Sequence, residues 1–273
     1  MLFRRPIPIL SERDIEGMRA VGKLAAETLC AVDALIAPGI ATEDIDRFVH
    51  EHTIAQGARP APLGYRGFPK SCCISINEVV CHGIPDDRIL RDGDIVNVDV
   101  THFYQDFYGD TSATFYVGTP GEDAKLVTEV ARECLRRGIA AVRSGAYLGD
   151  IGATIQEFAE RSLCAVVRDY TGHGIGRVFH GPPTVRHHGP PGTGQKIRAG
   201  MAITIEPMVN LGTWEVSLQP DKWTVLTRDG RLSAQFEHTL VVTDDGCEVV
   251  TARAETLANS ERFPGYLSAR GLL

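Results

Sequence analysis

The chain repeats itself once, and that repeat limits its possible folds more than any other feature. Gly39, with Asp44-Ile45 five and six positions on, matches Gly145 with Asp150-Ile151, an offset of 106 residues. Arg91-x-Gly93 followed by Asp99 matches Arg198-x-Gly200 followed by Glu206, an offset of 107. The order of elements repeats as well. A helix predicted over 11–37 starts at the cap Ser11, carries Ile15, Met18, Val21 and Leu24 on one stripe, and stops before Pro38-Gly39. A second helix runs from Thr42 to near Gly57, and the strand-like runs "DIVNVDVTHF" and "TSATFYVG" follow. Helices near 121–143 and 148–164, then strands near 201–206, 222–228 and 235–243, restate that order. The period is far too long for a solenoid. Two pseudo-symmetric halves, about 12–118 and 119–252, are therefore expected to share one sheet within a single domain spanning 1–273, with short terminal extensions. A chain of 273 residues, 43% of them apolar, can bury such a core. The Pro/Gly stretch at 189–194 reads as a surface loop.

Charge and cysteine usage exclude several classes. The net charge is −7 and no basic run exceeds two residues, so no nucleic-acid surface is expected. The apolar runs are shorter than a membrane span, and prolines interrupt "MLFRRPIPIL" where a signal peptide needs continuous apolar sequence. Seven cysteines without a C-x-x-C pair argue for reduced thiols. A cytoplasmic protein is expected. No G-x-S-x-G occurs, which disfavours a serine hydrolase.

The acidic residues carry the chemistry. Asp99 and Asp110 fall on the two strands of one hairpin, and pairing them directly would set both carboxylates on one face. Glu206 ends the run "MAITIE", Glu237 lies in "QFEHTLVV", and the duplication gives Glu206 the place of Asp99 in the other half. Four acids are thus expected to converge with His173 on the pseudo-symmetry axis. Two like charges ~4 Å apart repel by about 4 kcal/mol at an effective dielectric near 20. Several such pairs would exceed a domain's whole stability of roughly 5–15 kcal/mol. Either some acids are protonated or cations sit among them. Oxygen donors with one imidazole and no thiolate suit Mn, Fe(II), Co or Zn, and a metal pair sharing an activated water is a hydrolytic device.

The stretches "NVDVTHFYQDFYGDTS", "TGHGIG", "TIEPMV" and "SAQFEHT" resemble the metal-binding motifs of type I methionine aminopeptidases, and "LGYRGFPKSCCISINEVVCHGIPDD" is similar to that family too. The resemblance covers about residues 12–252. It implies the α+β pita-bread fold, with one antiparallel sheet flanked by helices, and removal of the initiator methionine from nascent polypeptides when the second residue is small. It implies two divalent metal ions (Co, Mn, Fe(II), Zn or Ni), with Asp99 on one, His173 and Glu206 on the other, and Asp110 and Glu237 bridging both. His180 resembles the histidine that donates to the scissile carbonyl oxygen, and His82 the one serving the N-terminal side of the bond. Glu206 would be ligand and proton shuttle together. Tyr65, Phe68, Cys73, His82, Phe179, His180 and Trp223 resemble the wall of the substrate pocket. Asn77, Val79 and Ser233 resemble positions that hold a monovalent cation. The family further implies a monomer that meets nascent chains, with the ribosome as a candidate partner.

Other polar residues read as structural. His102 and Asp106 match no ligand position and are expected to be exposed. His187-His188 is expected at a surface strand end, His238 on the face opposite Glu237, and Cys72 in plain packing. Pro62 and Gly181 depart from residues frequent in the family and put that pocket edge in question. An X-Pro aminopeptidase-like enzyme is the nearest rival, but such enzymes carry an additional N-terminal domain. A metal-free pita-bread binding module is the rival of another class, and it would have no physical need for all five ligands.

Overall fold

A computed structural model describes residues 6–253 and 257–273 of the protein. Helix α1 (Glu12–Asp33) starts as expected: Ser11 Oγ accepts from the Asp14 amide, and Asp14 reaches back to the Ser11 amide. It ends at Asp33 rather than Ala37, because the chain turns there and drops Ile36 into the core. Helix α2 (Thr42–Ala55) follows. Helices α3 (Glu122–Ala140) and α4 (Leu148–Arg161) recur after the first hairpin, near the expected bounds.

That hairpin, Ile95–Tyr104 with Phe107–Tyr116, is the spine of a nine-stranded sheet in which every recorded pairing is antiparallel. The strands Glu237–Val242 and Ala202–Ile205 extend the sheet beyond it, with Gly172–Gly174 and Gly181–Val185 at the far side. Strand periodicity of two divides the first strand: Val96, Val98 and Val100 enter the apolar core, whereas Asn97, Asp99 and Thr101 take the other face. Asn97 Nδ2 donates to the Gln235 carbonyl at 2.8 Å across that polar face.

By the same alternation His102 falls with the valines, which corrects the expectation of exposure. It is fully buried, and its Nε2 meets Thr28 Oγ1 of α1 at 2.9 Å and Thr53 Oγ1 of α2 at 3.2 Å. Asp106 is exposed as expected, at the hairpin tip. No two of the seven cysteines form a disulfide.

Candidate active site

The hairpin register sets the floor of the site. Gln105 and Asp106 form its two-residue turn with φ of 47° and 69°, a left-handed pair that matches the twist of the strands. Thr101 therefore faces Asp110, and Asp99 faces Ser112, which corrects the expected direct pairing of Asp99 with Asp110. Both carboxylates still share a face, as diagonal neighbours. Glu237 faces Ser112 from the other side, so Asp99, Ser112 and Glu237 form one row across three strands. Glu206 follows the strand that pairs His238 with Ile205, which carries it to the end of that row.

His173 reaches the acids from the strand Gly172–Gly174. Its Nε2 lies 3.7 Å from Asp110 Oδ2 and 3.6 Å from Glu206 Oε1. One ligand atom each from Asp110, His173 and Glu237 lie within 4.8 Å of one another. The glycine after His173 is a packing requirement, since a Cβ at Gly174 would overlap the Pro182 carbonyl of the next strand. All five expected ligands line one cavity of about 440 Å³.

Burial, then Asp110 and Glu206, push Asp99 well above the usual carboxylate range. Glu237 is pushed the same way by burial and by Asp110, Glu206 and Asp99. Glu206 rises to about 7, through burial first, with Asp110 adding to it and His173 opposing. Burial lowers the His173 pKa, but Asp110 and Glu206 outweigh it and the net direction is upward. Asp99 Oδ1 and Glu237 Oε1 are buried with no hydrogen-bond partner among the described residues. A buried carboxylate oxygen without a donor is costly, and a cation satisfies it. The four carboxylates and one imidazole therefore fit divalent metal.

All seven expected wall residues line the same cavity. His180 stacks on Tyr65 and accepts or donates at Nδ1 to the Tyr65 hydroxyl at 3.0 Å, which leaves Nε2 for a ligand. Burial and the neighbouring His173 lower its pKa to about 4. His82 has φ 56° and follows the strand Val79–Cys81; Gly83 behind it packs so closely on Ile74 that a Cβ would strike its carbonyl. Burial lowers the His82 pKa as well. Trp223 stands edge-on to Phe68, with ring centroids 5.2 Å apart. Cys73 is buried beside Asp99, and its thiol is raised by burial and by that carboxylate.

Further residues, not among those expected, brace the ligands. Thr101 Oγ1 donates to Asp110 Oδ1 at 2.7 Å, and Thr204 Oγ1 to Glu206 Oε1 at 2.8 Å. Gln235 Nε2 donates to Glu206 Oε2 at 3.3 Å. Strand alternation could have found Thr101 and Thr204, each two positions from a ligand. His187 is not at the surface: it is buried and its Nε2 accepts from the Glu206 amide, because the chain turns inward after the strand ending at Val185. His238 lies behind the sheet on Thr251 and Arg253, as expected. Asn77 and Ser233 are joined by a 2.9 Å backbone hydrogen bond, with Val79 two residues on. Pro62 lines the cavity edge.

Residues 16–244 match the model of metallopeptidase family M24. The chain is 53% identical over 246 residues to methionine aminopeptidase A of Synechocystis sp., covering 90% of this chain and 97% of that relative. A solved structure of methionine aminopeptidase from Rickettsia prowazekii is similar at TM-score 0.90 and 50% identity, over 90% of this chain and all of that one. Prolidase from Pyrococcus furiosus shares the fold at TM-score 0.72 and 19% identity, over 90% of this chain and 66% of that one.

Proposed function

The chain belongs to metallopeptidase family M24, with methionine aminopeptidases as relatives and their pita-bread fold, and we propose how its cavity removes the N-terminal methionine of a polypeptide. One observation carries the reading: four carboxylates and an imidazole meet, in one cavity, two histidines with lowered pKa values and a slot of aromatic rings and a thiol. Asp99 would hold one divalent ion, His173 and Glu206 a second, with Asp110 and Glu237 shared; Co, Mn, Fe(II), Zn and Ni all suit such donors. Bound there, the ions supply an activated water at neutral pH and polarise the scissile carbonyl.

The chain's own residues do the rest. The substrate enters amine first, drawn by the acids, and its first side chain lies between Tyr65, Phe68, Cys73, Phe179 and Trp223. Sulfur–aromatic contacts of ~0.3–1.5 kcal/mol each favour a thioether there. Neutral His180 accepts the Tyr65 hydroxyl at Nδ1 and donates from Nε2 to the scissile carbonyl oxygen, where charge develops. Glu206 Oε2, which among the described residues accepts the long Gln235 bond alone, takes the proton of the attacking water and returns it to the leaving amine. His82 serves the amine side of the bond.

The same reading takes 1–273 as one catalytic domain of two pseudo-symmetric halves. Gly39 and Gly145 have φ of 99° and 89°, and Gly93 and Gly200 have 92° and 82°. The bridges Ala41↔Ile89 and Tyr147↔Lys196 fall at the same offsets. The reading also includes a monovalent cation at Asn77, Val79 and Ser233, and a monomer acting in the cytoplasm on nascent chains at the ribosome. No described helix is long and apolar enough to cross a membrane. Release of free methionine from Met-Ala-Ser but not Met-Leu-Ser, dependent on added Mn or Co, tests the central claim; equal release from both peptides would overturn it.

A further inference from the structure

The mouth of the cavity carries two cations that the reaction does not use. Arg66 and Lys222 both line the cavity and both are exposed. Each has a left-handed backbone, with φ of 50° and 67°. Arg66 adjoins Tyr65, the partner of His180; Lys222 adjoins Trp223, whose ring lies 6.4 Å from that of His82. The two charges therefore flank the pair of histidines between which the scissile bond must lie.

Neither cation is neutralised by an ion pair among the described residues. The guanidinium of Arg66 rests 5.2 Å over the Tyr65 ring, a contact that leaves its donors available. Asp221, beside Lys222 in sequence, is engaged by the amides of Trp223 and Thr224 at 2.8 and 2.9 Å. Among the described residues, the carboxylates lining the cavity are those of Asp99, Asp110, Glu206 and Glu237. Asp221 lies off the cavity lining, so outside the four acids the charged side chains that line the cavity are the cations Arg66 and Lys222.

We propose that Arg66 and Lys222 read the substrate beyond its second residue and favour polypeptides with Asp or Glu at the third and fourth positions. This rests on the methionine aminopeptidase reading and adds a specificity to it. The first substrate residue fills the slot and the second passes His82 and His180. An extended chain then advances ~3.3 Å per residue, so residues three and four are the first to reach the rim. Exposed ion pairs are individually weak, so the two together give a preference of roughly three- to tenfold.

The test uses the metal-loaded enzyme and three C-terminally amidated peptides, Met-Ala-Xaa-Xaa-Gly, in which Xaa is Glu, Gln or Lys. The order expected in kcat/KM is Glu, then Gln, then Lys, carried by KM and shrinking as salt is raised. Arg66→Asn with Lys222→Asn, a residue that tolerates left-handed backbone, should bring the Glu-to-Lys ratio to about one. Arg66→Glu with Lys222→Glu should invert it. Equal kcat/KM for the three peptides, a preference for Lys, or a Glu preference that survives both double variants overturns the proposal. Failure to release methionine from any of the peptides would remove the parent reading and this proposal with it.

Discussion

The backbone N–H of Glu206 donates to Nε2 of His187 at 3.1 Å from within the protein, behind the carboxylate that faces the cavity. Pro207 follows Glu206, so this hydrogen bond fixes the last amide of the run before the chain breaks direction. His187→Leu removes the acceptor and leaves a buried N–H unpaired, at a cost of about 1–3 kcal/mol. Metal affinity, measured by calorimetric titration, should fall about tenfold, and His187→Gln should recover part of it. Wild-type affinity in the leucine variant would show that His187 does not position Glu206.

Removing divalent metal should abolish hydrolysis, and adding Co or Mn should restore it. Metal should also raise Tm, since it relieves the repulsion among Asp99, Asp110, Glu206 and Glu237. The sign with pH follows from Glu206, whose folded pKa of about 7 exceeds the ordinary 4.5. Without metal, the proton it holds stabilises the fold below pH 4.5, and that contribution is lost as pH rises through 7. Metal binds the deprotonated acids, so the metal-induced rise in Tm should grow from pH 5 to pH 8. A constant increment across that range contradicts the assignment.

His180→Ala and His82→Ala should each lose roughly 10²–10⁴-fold in kcat while keeping metal, as expected of groups that handle protons and charge. His173→Ala should lose metal affinity instead. Paired metal titrations and kinetics separate the two classes, and the reverse pattern would exchange the roles of His173 and His180.

Burial, with His52 adding to it, lowers His102 to about 4 from the ordinary 6.5. The unfolded chain binds the extra proton between those values, so stability is complete above pH 6.5 and lost as pH falls towards 4. The loss amounts to roughly 3 kcal/mol. Denaturant melts of wild type and His102→Gln should converge as pH drops from 7 to 4. A stability difference independent of pH would place the titration elsewhere.

Across X-Ala-Ser peptides, methionine should lead, norleucine should follow within about 10–200-fold, and lysine should fail for want of a carboxylate in the slot. N-acetyl-methionine peptides should resist cleavage, because the free amine is what the acids attract. Profiles of kcat/KM check both statements, and indifference between Met and Lys would refute the slot.

Local chemistry was enough to determine much of this protein. The cap and stripe of α1, the alternation of the hairpin and the two matched offsets all depend on near neighbours in the chain. Residue type and the matched motifs marked Asp99, Asp110, His173, Glu206 and Glu237 as the expected ligands, and all five line one cavity. Periodicity even contained the burial of His102, two positions from Val100, although its partners Thr28 and Thr53 lie far off in sequence. Alternation fixes which residues share a face but not how two strands slide. The left-handed Gln105-Asp106 turn therefore decided that Thr101, and not Asp99, stands opposite Asp110. Tertiary structure alone placed His187 behind Glu206 and set Arg66 and Lys222 on one rim. Those relationships join residues from separate elements, and nothing in either local sequence encodes the distance between them.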